Sequence, residues 1–255
     1  MTVTYSQRGN VALLTIDRPE ARNAVNGDVA SAMEAAIDQL EAAQDVWAAV
    51  LTGTGPVFCA GADLKAIASG QAAGLNTSRG GFAGFVKRHR TKPVIAAVDG
   101  PALAGGCEIA LACDLIVAST NAAFGVPEVK RSLVAAGGAL FRLPQALPRN
   151  IAMELILTGD PITAERAHQL GMVNELVEPG QAVDAALALA GRITVNAPLA
   201  VRASRSVFLK AIASVDESDM WMESNQAFAT VARSEDFAEG PRAFIEKRAP
   251  NWQGK

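Results

Sequence analysis

The chain has 255 residues, of which half are hydrophobic and 19% are charged, and its formal net charge at pH 7 is −3. This length and composition predict one large α/β domain, or a core with a small appendage. The acidic balance is not typical of nucleic-acid binding, and no apolar run is long enough to cross a bilayer. Three unpatterned cysteines (Cys59, Cys107 and Cys113) and the lack of a secretory signal predict a reduced, cytoplasmic protein without membrane partners.

The N-terminal part is predicted to form a hairpin followed by a helix. Residues 2–7 and 11–16 collect β-forming side chains on either side of a glycine–asparagine pair. Asn26 or Asp28 is expected to cap the helix, whose apolar residues recur at spacings of three and four. These apolar residues are Val29, Met33, Ile37 and Leu40.

The next part is predicted to contain two short buried strands, over residues 48–52 and 93–98, with irregular segments between them. Residues 57–65 are interpreted as a strand end, a turn and a helix start. Residues 70–81 are rich in glycine and small residues and predict a mobile surface loop. A helix that carries basic residues is expected next, and the arginines and lysines of residues 79–92 are interpreted as a solvated face.

The remainder of the chain is predicted to be mainly helical. Asn150 is expected to cap a helix over residues 151–157, and Thr163 opens another. Strand-forming residues become rare after residue 181, so the chain is divided at about residue 195 into an αβ body and a helical tail. Successive helices are predicted over residues 184–193, 199–212, 216–233 and 234–247.

Two turns built from small residues, 60–63 and 104–106, each precede a predicted helix. The first N–H groups of a helix have no intrahelical acceptor, and small residues allow a ligand to approach the backbone. Two such helix starts, brought together, would offer two donors to one developing oxyanion. Each turn on its own is explained as well by an ordinary connection between strand and helix.

Glu108 and Glu128 each follow a turn and lie in apolar surroundings. Carboxylates are rarely buried without a partner or a function, because removing a charge from water is costly. The two glutamates therefore predict a pair that faces a common cavity. The alternative, a capping or salt-bridging role, is plausible for either glutamate alone but much less so for both.

Four segments, in their order and spacing, resemble the crotonase (enoyl-CoA hydratase/isomerase) superfamily. The similarity extends over nearly all of the chain, from Arg18 and Pro19 to GPRAFIEKR at residues 240–248. It implies a mixed α/β fold, with a crotonase-like ββα spiral core over residues 1–195 and a C-terminal helical oligomerisation region over residues 196–255. The segments are FCAGADLK (58–65), KPVIAAVDG (92–100), AGGCE (104–108) and FGVPE (124–128).

The resemblance implies an enoyl-CoA hydratase, a hydro-lyase that adds water across the 2,3 double bond of an enoyl-CoA. In the family, the N–H groups at Ala62 and Gly105 would bind the thioester carbonyl. Hydratases of the family carry two glutamates, and Glu108 and Glu128 match their positions. Glu108 is expected to activate water and Glu128 to deliver a proton to C2, with the roles reversed for dehydration.

The resemblance also implies an acyl-CoA substrate, no metal, and no cofactor apart from the CoA of the substrate itself. Lys65 is expected near the adenine or the phosphates, and a solvated lysine is the alternative. Tail residues complete the CoA pocket, in some members from a neighbouring subunit. The CoA-binding residues implied are Arg22, Ala24, Ala60, Ala62, Asp63, Leu64, Lys65, Gly105, Phe244 and Lys247.

Tail helices of the family build trimers that often pair into hexamers. A homotrimer or a hexamer (a dimer of trimers) is therefore expected of this chain. Several apolar residues of the tail fit such an interface, or else pack on their own body. They are Trp221, Met222, Phe228 and Phe244.

The segment after Glu128 departs from the family pattern, in which Leu-Gly and then a proline usually precede the glycine pair. Residues 129–138 read VKRSLVAAGG. This difference leaves the identity of the acyl group open, more than it does the type of reaction. The lack of an acidic residue there disfavours isomerase- and dehalogenase-like members. The alternatives are another acyl-CoA lyase (carnitinyl-CoA dehydratase-like, or a hydratase of aromatic or steroid side-chain thioesters) and a non-catalytic acyl-CoA-binding or RNA-associated member. Both glutamates and the acidic charge disfavour the non-catalytic type.

Three further residues carry weaker patterns. His89 and His168 have no metal-ligand companion in the sequence and are interpreted as surface or packing residues. Cys107 stands at a helix start, which can lower a thiol pKa, but a small packing residue is the simpler interpretation. The basic residues 79–92 have one alternative to a solvated face, which is proximity to the CoA phosphates.

Overall fold

The computed structural model describes residues 2–131, 133–212, 226 and 228–255. Three sheets organise this part of the chain, and the largest has the strand order β1-β2-β3-β6-β8-β11. The strands are β1 (Val3–Arg8), β2 (Val11–Ile16), β3 (Ala48–Gly53), β4 (Asn76–Thr77), β5 (Gly81–Phe82), β6 (Val94–Val98), β7 (Ala102–Leu103), β8 (Leu115–Ser119), β9 (Ala123–Gly125), β10 (Ile162–Thr163) and β11 (Glu175–Val177).

The large sheet begins with the predicted antiparallel hairpin β1–β2, and every later pairing in it is parallel. Its central strands β3 and β6 are buried almost throughout and are apolar along their length, as expected for parallel strands covered on both faces. Because side chains alternate along a strand, Leu51 belongs to one core cluster and Val50 to the other.

Helices cover both faces of this sheet. The helices of the described residues are α1 (Gly27–Ala42), α2 (Leu64–Ala68), α3 (Gly105–Ala112), α4 (Ala139–Ala146), α5 (Arg149–Thr158), α6 (Ala164–Gln169), α7 (Ala182–Thr194), α8 (Pro198–Ala211) and α9 (Glu235–Glu246). One face packs under α1, which buries the predicted apolar residues; the other packs under α7 through Ala182, Ala186 and Ala190, spaced one helical turn apart. The side chain of Asn26 caps α1 and that of Thr163 caps α6, as predicted.

A small sheet of order β10-β9-β7 lies beside the glycine turn that precedes α3. Strand β7 pairs with β9 in parallel, and an isolated bridge joins Ala102 to Cys59. Residues 57–59 do not form the strand that the sequence predicted; this single bridge is their only strand-like pairing within the described part of the chain. The bridge brings the two predicted turns to the same edge.

Two boundaries differ from the sequence prediction. Helix α5 begins at Arg149, and Pro148 stands at its N-cap in place of Asn150, without a side-chain capping hydrogen bond. The helix predicted to carry Lys87, Arg88 and Arg90 is absent: residues 83–87 form turns and residues 88–90 are irregular. Ala83 and Gly84 both adopt positive φ, which a helix does not allow. The predicted mobile loop over residues 70–81 contains a short helical turn at Ala72–Leu75 and part of a two-stranded ribbon.

The basic residues 79–92 form a solvated face only in part, because Arg79 and Lys87 are exposed whereas Arg90 and Lys92 are not. Arg79 and Arg88 form ion pairs with Asp38 on α1. Arg90 and Lys92 are buried, with only 7% and 2% of their surfaces exposed. The Lys92 ammonium donates to the carbonyl groups of Leu40 and Ala43 at the end of α1, and the Arg90 guanidinium lies over the ring of Phe85. These charges therefore hold the helix and the following turn in place.

The tail contacts the body through α8. Its Arg205 pairs with the half-buried Asp114 at 2.8 Å and also donates to the carbonyl oxygen of Arg90. Phe228 and Phe237 have exposed rings, and their edge-to-face contact has a centroid distance of 6.0 Å. Trp221 and Met222 lie outside the described residues. The division of the chain near residue 195 and the trimer or hexamer stay predictions. Among the described helices, none is both long and apolar enough to cross a bilayer.

Candidate active site

A cavity of about 900 Å³ opens where the two turns meet. Its walls come from segments far apart in the sequence: the loop before α1, the turn before α2, the start of α3, and the segment on either side of Glu128. Ten of the twelve predicted site residues line this one cavity. They are Arg22, Ala24, Ala60, Ala62, Asp63, Leu64, Lys65, Gly105, Glu108 and Glu128.

The two turns are in direct contact. A Cβ placed on Gly61, which has φ +93°, would lie 2.8 Å from the Cβ of Ala104 and 3.0 Å from the Gly105 nitrogen. The Leu103 N–H donates to the carbonyl oxygen of Cys59 at 3.0 Å and fastens the turns together. Glycine is required at position 61 both for this conformation and for this close approach.

The N–H groups of Ala62 and Gly105 are left available to a ligand. The backbone N–H of Val25 donates to the carbonyl oxygen of Gly61, and the carbonyl oxygen of Val25 accepts from the Asp63 N–H. The N–H of Ala62, between those two residues, takes no part in this pairing. Gly105 is the first residue of α3, and Ala104 before it is held at φ 52° and ψ −128°. Neither N–H has a protein acceptor among the hydrogen bonds of the described residues. Two such donors at adjoining turns form a potential oxyanion hole.

Glu108 lies on the first turn of α3 and has only 4% of its surface exposed. Its Oε1 accepts from the backbone N–H of Ala139 at 3.2 Å. Burial raises the pKa of the Glu108 carboxyl above its ordinary value, and the negative charge of Glu128 raises it further. The hydrogen bond from the Ala139 N–H acts in the opposite direction and lowers this pKa. The two carboxyl groups are therefore close enough to interact electrostatically.

Glu128 is half-buried on the helical turn Pro127–Arg131. Its Oε2 is fully buried and has no hydrogen-bond partner among the described residues. Burial raises the pKa of the Glu128 carboxyl, while its own backbone N–H and the nearby charge of Arg131 lower it to a smaller extent. A buried carboxyl oxygen without a donor is better suited to carry a proton than to carry a charge.

Asp63 has a structural role that the sequence did not reveal. Its Oδ1 accepts from the N–H groups of Lys65 and Ala66 and caps α2, while its Oδ2 pairs with Arg18 at 3.2 Å. Arg18 also donates to the carbonyl oxygen of Ala24 at 2.6 Å. Burial raises the pKa of Asp63, but these hydrogen bonds and the charge of Arg18 together bring it below the ordinary value. This network fixes the mouth of the cavity.

Phe82 is a cavity residue that sequence reasoning missed. Its ring packs against Gly105, where an added Cβ would lie 2.5 Å from the ring Cζ. Nothing in the sequence near Phe82 links it to α3. Neither the glycine before a helix nor the aromatic residue in a glycine-rich loop indicates a site by itself. Only their contact in the structure identifies Phe82 as part of the cavity.

Two predicted CoA-binding residues are not placed at the cavity. Lys247 follows α9 and is exposed, and it is not part of the cavity wall formed by the described chain. Phe244 belongs to α9, but its side chain lies outside the described part of the structure. Lys65 is exposed at the cavity rim, which fits either of its two interpretations.

The residues with weaker patterns have packing or surface positions. Cys107 is fully buried, and burial raises the pKa of its thiol, so the helix start does not activate it. His168 Nδ1 lies 2.9 Å from the carbonyl oxygen of Val173. His89 is exposed. No group of three or more potential metal ligands occurs within the described residues.

Comparison with known proteins gives a consistent family. The model of the enoyl-CoA hydratase/isomerase family matches residues 6–255. The chain is 41% identical to the enoyl-CoA hydratase EchA19 of Mycobacterium tuberculosis, over 98% of this chain and 95% of the relative. It is 39% identical to the carnitinyl-CoA dehydratase of Proteus mirabilis, over 97% of each. The crystal structure of an enoyl-CoA hydratase from Mycobacterium tuberculosis H37Rv superposes with a TM-score of 0.96 at 50% identity, over 100% of this chain and 99% of that one. The chain belongs to the enoyl-CoA hydratase/isomerase family.

Proposed function

We propose that this enzyme is an enoyl-CoA hydratase, which adds water reversibly across the 2,3 double bond of an enoyl-CoA thioester. One observation carries the proposal: two interacting carboxyl groups with raised pKa values line the same cavity as two unused backbone N–H groups. Hydration of a conjugated thioester needs this combination of a polarised carbonyl, a base and an acid.

The N–H groups of Ala62 and Gly105 are proposed to bind the thioester oxygen. Donation by both withdraws electrons from C3 and stabilises the negative charge that develops on the oxygen as water adds. Loss of one such donor typically costs about 10²–10³-fold in rate. Both donors are backbone groups held by turns in contact, so they need no reorganisation during the reaction.

The environments of the two glutamates support different roles. Glu108 accepts the Ala139 N–H, a contact that stabilises its ionised form and suits a base that activates water. Glu128 has a buried oxygen without a donor, which suits a protonated carboxyl that delivers its proton to C2. The mutual repulsion of the two groups favours a state in which they hold one proton between them. In dehydration the roles are reversed.

CoA is proposed to bind along residues 22–24 and 60–65, mostly through backbone groups, with Lys65 near the phosphates. Phe244 and Lys247 are proposed to complete this pocket across a subunit interface of a homotrimer or hexamer. The proposed reaction uses no metal and no cofactor besides the CoA of the substrate. A cytoplasmic location stays a prediction, for which the three free cysteines are the supporting observation.

A second candidate within the same chemistry is dehydration of a carnitinyl-CoA-like thioester. It is favoured by the 39% identity to a carnitinyl-CoA dehydratase, and the unusual cavity wall after Glu128 leaves the identity of the acyl group open. A hydratase for aromatic or steroid side-chain thioesters would also use this site. A non-catalytic role is disfavoured, because it gives no reason to bury two carboxyl groups beside two free donors.

The ultraviolet absorbance of the conjugated thioester measures the reaction directly, since it disappears when water adds. Crotonyl-CoA and longer enoyl-CoAs are tested with wild type, Glu108→Gln and Glu128→Gln. Each glutamine variant is expected to lose about 10²–10⁴-fold in kcat. Glu154→Gln is the matched control, because Glu154 is exposed on α5 outside the cavity. Near-full activity of either cavity variant would reject the two-carboxyl mechanism, and wild type that hydrates no enoyl-CoA would reject the function.

A further inference from the structure

Arg131 lies at the end of the same helical turn as Glu128, three residues further along the chain. Residues three apart on a tight helical turn lie on the same side of it, and both side chains line the cavity. The charge of Arg131 acts on Glu128, yet the buried Oε2 of Glu128 accepts no hydrogen bond within the described chain. Arg131 is therefore beside the acid without being paired to it.

The neighbouring lysine provides a contrast. Lys130 forms an ion pair with Asp160 and is not part of the cavity wall. Arg18, another cation of the cavity, is engaged by Asp63. Arg131 is exposed and forms no ion pair or hydrogen bond with another residue of the described chain. Its guanidinium is thus available to an anionic group of a ligand.

The position of Arg131 assigns it to the acyl side of the cavity. The CoA moiety is proposed to follow residues 22–24 and 60–65, whereas Glu128 is proposed to deliver its proton to C2 of the acyl group. Among the described residues beyond Arg131, the aliphatic Leu133 and Val134 line the cavity and are 52% and 68% exposed. This stretch therefore presents aliphatic surface and one free guanidinium to the acyl chain.

We propose that Arg131 binds a carboxylate at the far end of the acyl chain, so that the preferred substrate is the CoA monothioester of an unsaturated dicarboxylic acid. The planar guanidinium matches a carboxylate in two parallel hydrogen bonds, and such charge-assisted bonds are among the strongest in proteins. This inference rests on the proposed function and makes no change to its chemistry. It names the group that the altered wall recognises.

The test compares two 2-enoyl-CoAs of equal length, one ending in a carboxylate and the other in a carboxamide. The quantity measured is the ratio of their kcat/KM values, because any effect of Arg131 on Glu128 or on CoA cancels in a ratio. Wild type is expected to prefer the carboxylate, and Arg131→Leu to lower the ratio by about 10- to 100-fold. Arg131→Lys is expected to retain part of the preference. Lys130→Leu, which removes one charge from the same turn, is expected to leave the ratio unchanged.

Titration calorimetry with the saturated forms of the two thioesters provides a readout that does not depend on catalysis. The ratio of their Kd values is expected to change with Arg131→Leu as the kinetic ratio does. An equal fall for both thioesters, or a wild-type ratio near one, overturns the assignment of Arg131. Binding selectivity that depends on Arg131 without hydration of any thioester would instead support the assignment and overturn the proposed function.

Discussion

The carboxyl group of Glu108 lies directly against the Cα of Gly137. A Cβ placed on Gly137 would be 2.7 Å from the Cδ of Glu108 and nearer still to its Oε2. Real Cβ atoms do not approach other atoms so closely, so any side chain at this position displaces the carboxyl group. Gly137, within the altered segment after Glu128, therefore helps to position the carboxyl group of Glu108.

Gly137→Ala is expected to lower kcat by at least about 10²-fold, because a misplaced base loses most of its contribution. Steady-state hydration of crotonyl-CoA measures the loss, and circular dichroism checks the fold. The matched control is Gly191→Ala on α7, where an added Cβ meets nothing within 4 Å. That control is expected to keep full activity and to gain about 0.5–1 kcal/mol of stability. Activity of Gly137→Ala within twofold of wild type would contradict the placement.

Glu108→Gln is expected to lose activity and yet be more stable than wild type at neutral pH. Burial raises the pKa of Glu108 in the folded state, so the ionised form is disfavoured there. The carboxyl group of Glu108 makes its full contribution to stability below about pH 4.5, which is its pKa in the unfolded chain. That contribution is lost as the pH rises through the higher pKa of Glu108 in the folded state. The difference in Tm between Glu108→Gln and wild type should therefore grow from acidic to neutral pH.

Differential scanning calorimetry across that pH range measures this trend. Glu154→Gln serves as the control and should show a difference in Tm that does not depend on pH. A Glu108→Gln variant that becomes progressively less stable than wild type as pH rises would show that the ionised carboxylate is stabilised in the fold.

Gly105 and Phe82 are expected to be energetically coupled. Gly105→Ala keeps the N–H donor, but its Cβ would lie 2.5 Å from the Cζ of Phe82. The single variant is expected to lose about 10²-fold in kcat/KM. Phe82→Leu vacates the space of the ring edge, so the double variant should recover about tenfold relative to Gly105→Ala alone. A double-mutant cycle on kcat/KM measures the coupling, and purely additive effects would contradict the contact.

Arg205 and Asp114 are expected to attach the tail to the body without taking part in catalysis. Arg205→Met leaves the half-buried carboxylate of Asp114 without its ionic partner and should lower the free energy of unfolding by about 3 kcal/mol. Urea titration measures this change, and kcat of the folded enzyme should stay near that of wild type. Arg192→Met, at an exposed position on α7, is the control. An equal effect of both substitutions would show that the ion pair contributes little.

Local patterns predicted most of the scaffold. The hairpin β1–β2, the Asn26 cap of α1 and the apolar stripe of α1 follow from periodicity and capping, which depend on residues near one another in the sequence. The error over Arg90 and Lys92 has the opposite cause. Arg90 and Lys92 are buried because their charges meet carbonyl groups of residues more than twenty positions away, such as Ala112 and Leu40.

The candidate site shows the same limit. The turns and the glutamates were recognisable because each is a local motif, and the resemblance to a family gave their joint meaning. Arg18, Phe82 and Arg131 were not predicted as site residues, since each acquires its place only by contact with a segment distant in the chain or by facing the cavity. Tertiary contacts of this kind leave no periodic trace in a sequence.

Ala104 holds its backbone at φ 52° and ψ −128°, which a residue with a Cβ rarely adopts. Such a conformation costs of order 1–3 kcal/mol, so some of the free energy of folding is retained as strain in the turn before α3. Glycine at this position would relieve the strain, but it would also let the peptide plane of Gly105 turn more freely. The enzyme is thus less stable than its fold allows. In return, the strained turn keeps the N–H bond of Gly105 in a fixed direction.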